Sequence, residues 1–127
     1  MWTNNALRIA GHGDRQIFNR YFTHEPPGDE LTVIIAGFGY TIDSPYLFYS
    51  KHVPFAHGAD VLALDLQYST NRAFLGAPEE ERQTWLEEDA SAIARTAAGL
   101  PYERVSFIGK SLGTTLVLGM LQQEAFS

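Results

Sequence analysis

The sequence predicts an α/β protein, with a mainly parallel sheet between helical layers behind a short antiparallel hairpin. Two observations carry that class. "LTVIIAG" (31–37), "ADVLALDLQYS" (59–69) and "RVSFIG" (104–109) are continuous apolar, β-branched runs of the kind a strand buried on both faces requires. Helical patterns separate them, and alternation of strand and helix implies parallel strands joined by right-handed crossovers. With 127 residues, 45% hydrophobic and 13% aromatic, the chain has enough apolar material for one core, so residues 1–127 are expected to form a single domain.

Residues 6–23, "ALRIAGHGDRQIFNRYFT", read as two short strands around a Gly-His-Gly-Asp turn, since Gly and Asp supply the backbone freedom a hairpin needs. "EPPGDE" (25–30) is a breaker loop ahead of the first buried strand. Ser44 before Pro45 is a helix start, with Ser44 as N-cap and Pro45 at the first helical position; that helix is expected to run to about His57, where Gly58 stops it. In "LGAPEEERQTWLEEDASAIARTAAGLP" (75–101), Pro78 and three glutamates form a first turn, Leu86, Ala90, Ile93 and Ala97 share one face, and Gly99 with Pro101 ends the helix. After "RVSFIG", the apolar "LGTTLVLGMLQQEAF" (112–126) predicts a well-buried helix.

The net charge of −6 gives no basic surface for nucleic acid or anionic lipid, and a charged fraction of 19% is not that of a disordered chain. The absence of cysteine excludes disulfides, thiolate-bound zinc, iron–sulfur clusters and a thiol nucleophile. "MWTNNALRIAGHGD" lacks the pattern of a signal peptide, and no apolar run approaches the ~20 residues of a membrane span. A cytoplasmic protein binding neither nucleic acid nor membrane is the expectation.

The stretch "FIGKSLGTT" (107–115) admits two readings. Its "GKS" resembles the end of a phosphate-binding loop, but that motif requires a glycine where Arg104 stands and a flexible loop where the apolar "VSFI" predicts strand. "GKSLG" also fits Gly-x-Ser-x-Gly, a sharp turn between strand and helix whose glycines let the two backbones approach closely. "RVSFI-GKSLG-TTLVLGML" has that order, which selects Ser111 as a candidate nucleophile. A Gly-rich turn with an incidental serine is the plainer alternative. The Leu112 N–H, at the helix start, would face a developing oxyanion. The Phe38 N–H in "AGFGY" (36–40) is the candidate second donor, unless Gly37 and Gly39 only turn the chain. Lys110 is expected to leave the turn toward solvent or substrate.

Taken together, the hairpin, "VIIAGFGY", helix, "VLALDLQY", helix and "FIGKSLG" resemble the α/β-hydrolase family over its first five strands and nucleophile helix. The resemblance implies a three-layer fold that breaks off after the nucleophile helix, with Ser111 as catalytic serine and Phe38 and Leu112 as oxyanion donors. It also implies an acyl-enzyme route on a small ester, thioester or amide, as in carboxylesterases, lipases and thioesterases, with no cofactor and no metal. One departure is Ala36, which stands where the family commonly has the histidine of a His-Gly pair.

The family's acid and histidine come from later strands, and the chain ends 16 residues after Ser111. Its four histidines do not replace them. His52 and His57, late on an antiparallel helix, fall roughly 18 Å from the serine edge at 1.5 Å per residue. By the family's topology His24 ends a strand at the wrong edge, and in the family's strand order His12 is at the right edge but four strands away, ~19 Å at 4.8 Å per strand. Their spacings do not converge as metal ligands would. Asp65, at the serine edge, is a candidate pocket wall or a loop cap; Tyr40 and Tyr46 are candidates for lining the acyl pocket or for packing. The competing expectation is a non-catalytic fragment or binding module of the same fold. In either case another subunit or a later segment is expected to cover the sheet edge at "RVSFI".

Overall fold

The computed structural model describes residues 2–36 and 54–110. Within them lie strands β1 (Trp2–Asn5), β2 (Phe18–His24), β3 (Glu30–Ala36), β4 (Asp60–Asp65) and β5 (Arg104–Lys110). They form one sheet in the order β1-β2-β4-β3-β5. β1 and β2 pair antiparallel, β2 and β4 antiparallel, and β3 runs parallel to both β4 and β5. The mixed sheet with an antiparallel N-terminal hairpin is thus as expected, and the crossover order places β3 in the centre of the parallel part.

The strands form where the apolar runs are because both faces are covered. Leu31, Val33, Ile35, Leu62 and Leu64 point to one side, with Val105 and Phe107 packed against them. That face meets the long helix α2 (Glu79–Ala98) through Ala90, Ile93, Ala94 and Ala97. Ile34, Val61 and Ala63 point to the other side, against Phe22, Phe55 and Ile108. An alternating strand would serve one covered face; these need apolar residues at every position.

The helix over 79–98 has the expected ends: Pro78 at the N-cap, Glu79, Glu80 and Glu81 in the first turn, and Gly99 as C-cap. The negative charges oppose the positive end of the helix dipole. Of the expected inner face, Ala90, Ile93 and Ala97 are buried and Leu86 is partly so; Trp85, Asp89, Ala92 and Ala94 extend it. A four-residue helix α1 (Arg72–Leu75) precedes it, capped by the Asn71 side chain accepting the Phe74 N–H at 3.1 Å.

The hairpin departs from expectation. Its first strand is Trp2–Asn5, not a segment within 6–10, where only an isolated bridge, Ala10 to Gln16, is formed. Side-chain amides replace the missing ladder. Asn19 accepts the Leu7 N–H and donates to the Leu7 carbonyl, both at 2.8 Å, and Gln16 accepts the Ile9 N–H at 3.1 Å. Side chains that satisfy the backbone free it from a regular strand.

The expected helix from Ser44 lies outside the described residues except for its end, where residues 54–56 are helical. Gly58 then takes a φ of 94°, the left-handed stop that favours glycine. The expected helix over 112–126 lies outside the described residues. Among the described residues no helix is long and apolar enough to cross a membrane.

Candidate active site at the carboxyl edge of the sheet

The register defines one edge chemically. Phe18 of β2 pairs with Asp65 of β4, Asp65 with Ala36 of β3, and Ala36 with Lys110 of β5. These four residues form one rung, the last of the parallel ladders. The residue after Lys110 is Ser111, and two after Ala36 comes Phe38. Neighbouring strands are ~4.8 Å apart, so Asp65 and Lys110 stand about 10 Å from each other across Ala36. Ser111, Leu112, Phe38, Tyr40 and Tyr46 lie outside the described residues, as does His52.

The strand before the serine bears on the choice between the two motifs. Val105 to Ile108 belong to β5, paired residue by residue with Leu31 to Ile34. A backbone committed to a ladder cannot wrap a phosphate, so the departure from the phosphate-loop pattern is geometric as well as chemical. β5 runs one residue past the expected boundary, through Lys110.

Of its two expected roles, Asp65 takes that of loop cap. It is buried at the carboxyl edge, and its Oδ1 accepts the Gln67 N–H at 3.2 Å. Gln67 has a φ of 58°, a left-handed conformation uncommon outside glycine and asparagine, and the carboxylate holds the turn that requires it. Beside Asp65 on the rung, Phe18 is 44% exposed, an apolar surface next to the candidate pocket. The hairpin spacing carries no signal that marks it, because the exposure follows from register.

The turn out of β4 is anchored to α2. Asp89, fully buried in mid-helix, accepts the Tyr68 hydroxyl at 2.5 Å, the His12 N–H at 2.8 Å and Arg15 Nη2 at 3.3 Å. Arg15 Nη1 also donates to the Leu66 carbonyl at 3.3 Å. Burial foremost, then the Asp89 charge, pushes the Tyr68 phenol far above its ordinary value. Tyr68 stacks on Phe74, and Phe74 meets Trp85 edge-on. A Cβ at Gly11 would lie 2.1 Å from Asp89 Oδ1, so only glycine lets the hairpin turn approach the carboxylate.

His12 does not reach β5. Its Nδ1 lies 2.8 Å from Glu88 Oε2 and its ring stacks on Trp85, both on α2. His24 sits at the opposite edge, its Nδ1 2.9 Å from Oδ1 of the fully buried Asp60. Asp60 also accepts the N–H groups of His24 and Gly28 and the Tyr102 hydroxyl. A carboxylate bonded this way leaves the Tyr102 proton committed, so Tyr21, whose hydroxyl meets that of Tyr102, is the donor in their contact. Burial first raises both phenols above the ordinary tyrosine value. His57 lies just before β4, also at the opposite edge. His12 and His24 are thus structural ties between segments distant in sequence. Among the described residues no group of three or more His, Asp or Glu side chains could hold a metal ion.

Sheet order, register and the strand leading into Ser111 define an α/β-hydrolase fold, and solved structures share it. Est1E from Butyrivibrio proteoclasticus matches 88% of the chain at 19% identity and a TM-score of 0.60. A cold-adapted esterase from an Arctic intertidal metagenomic library matches 97% at 16% identity and 0.61. A puromycin-hydrolyzing peptidase of Mycobacterium tuberculosis matches 98% at 21% identity and 0.63. The chain spans 43%, 55% and 21% of those three chains. No protein-family model and no curated protein sequence matches it.

Proposed function

We propose that this chain carries the nucleophile of a serine hydrolase that cleaves a small ester, thioester or amide. The observation that supports the reading best is the rung of Asp65, Ala36 and Lys110. It sets Ala36 and Lys110, two residues before Phe38 and one before Ser111 in sequence, side by side on adjacent strands at one edge. In this reading Ser111 Oγ attacks the acyl carbonyl carbon, and the carbonyl π pair moves to oxygen, facing the Leu112 and Phe38 N–H groups. The pair returns as the bond to the leaving group breaks, the leaving group taking up the proton that the base removed from Ser111, and water then hydrolyses the acyl-enzyme. Asp65 and Tyr40 contribute to the pocket wall, and a cytoplasmic location goes with the same reading.

The serine proton needs a base. Among the described residues, His12 is held on α2 and His24 and His57 are at the far edge; the second reading is a fold-bearing chain without a triad. In the first reading the base comes from outside the described residues. The two separate in one experiment. Alkyl fluorophosphonate labelling and p-nitrophenyl acetate hydrolysis are measured for the 127-residue chain and for the protein expressed from its complete reading frame, each with Ser111→Ala. The expected result is Ser111-dependent activity in the complete protein and only background in the 127-residue chain, because losing the base costs on the order of 10⁶ in kcat. Unlabelled Ser111 in the complete protein leaves the second reading. A 127-residue chain with full Ser111-dependent turnover refutes the missing-base account.

A further inference from the structure

We infer that Asp89 is a positioning residue, whose buried carboxylate couples the hairpin turn 11–15 to the turn leaving β4 and so sets where Asp65 stands in the pocket wall. The pocket clause rests on the hydrolase reading above; the coupling does not.

Three donors converge on Asp89, and they come from two segments far from it in sequence: His12 and Arg15 from the hairpin turn, Tyr68 from the β4 exit. The exit turn is gripped on both sides of its left-handed residue. Arg15 holds the Leu66 carbonyl before Gln67, and Asp89 holds the Tyr68 hydroxyl after it. Gln67 in turn donates its N–H to Asp65. Asp65 is thereby two hydrogen bonds removed from Asp89 by one route, through Gln67 and Tyr68, and is followed directly by the residue Arg15 holds.

A core role alone does not call for this chemistry. A buried ionised carboxylate is costly unless fully bonded, and apolar side chains of similar volume commonly stabilise such a site as well or better. What an apolar side chain cannot do is fix two separate backbone turns at hydrogen-bonding distance. Gly11 has the same significance, since its missing Cβ admits the hairpin turn to Asp89 Oδ1.

The test uses Asp89→Asn and the milder Tyr68→Phe in the protein expressed from its complete reading frame. Amide exchange is followed at Gln67, Thr70 and Asn71, bonded to Asp65, Gln67 and Tyr68 respectively, and at His12. Labelling by an alkyl fluorophosphonate is resolved into amplitude, KI and kinact. Both variants are expected to speed exchange at all of these exit-turn amides, and Asp89→Asn at His12 too. KI should rise about fivefold, the factor one net hydrogen bond is worth, with kinact within about twofold. Unchanged exchange at the exit turn overturns the coupling. A lower amplitude with unchanged KI shows a role in stability alone and overturns the pocket clause. If wild-type Ser111 never labels, the hydrolase reading and the pocket clause fall together, and the exchange data still decide the coupling. Should Asp89→Asn not fold, Tyr68→Phe alone gives both readouts.

Discussion

Two aspartates, Asp60 at the start of β4 and Asp89 in the middle of α2, organise the polar chemistry at the scale of single residues. Asp60 and Asp89 are both fully buried, and each accepts several donors from segments distant in sequence. Neither role is legible in "ADVLALD" or "LEEDASA", because a buried carboxylate reads like any helix-surface or strand-end acid until its donors are in place. The tyrosines on them make a pH prediction. Tyr68 is held neutral by burial and by the Asp89 charge, so its folded-state value is raised above the 10.0 of the free side chain. For a group whose value is raised on folding, its contribution is fully present below 10 and is lost as pH rises above it, since the unfolded chain then binds fewer protons. Urea-unfolding stability should therefore fall above about pH 10, and Tyr68→Phe should flatten that fall by about 1.4 kcal/mol per pH unit. An unchanged alkaline slope in the variant would refute the assignment.

Among the elements, α2 was the most legible. Pro78, the glutamate triplet and Gly99 mark its ends by local backbone chemistry, and the 3.6-residue period of Ala90, Ile93 and Ala97 marks its inner face. The period also ranks its positions. Ile93 is fully buried against β3 and β4 whereas Leu86 lies only partly buried at the margin. Ile93→Ala should cost about 2–5 kcal/mol in urea unfolding, and Leu86→Ala less than half as much. Equal losses would show that α2 packs on a different face. The first strand was the least legible element. "ALRIA" has strand composition, but the amides of Gln16 and Asn19 occupy its backbone groups, and those side chains are brought there only by the turn.

On the scale of the whole molecule, β5 ends the described strand order, pairing there with β3. The chain spans at most 55% of the three solved structures that share its fold. An apolar strand at a sheet margin invites another strand or subunit. The isolated 127-residue chain should therefore associate, giving a light-scattering mass above its own 14.1 kDa; a monodisperse monomer at that mass would remove the prediction. The sequence by itself determined the fold class, because strands buried on both faces must be apolar at every position and crossovers must be right-handed. It also spoke against the phosphate-loop motif ahead of Ser111, since "VSFI" is strand. Only the tertiary structure decided which residues share the last rung with Lys110, that Phe18 flanks Asp65, and that Asp89 and Asp60 bind turns distant in sequence. Register and side-chain convergence depend on how strands whose paired residues lie 29 to 74 apart in sequence are ordered in the sheet, and no local pattern encodes that order.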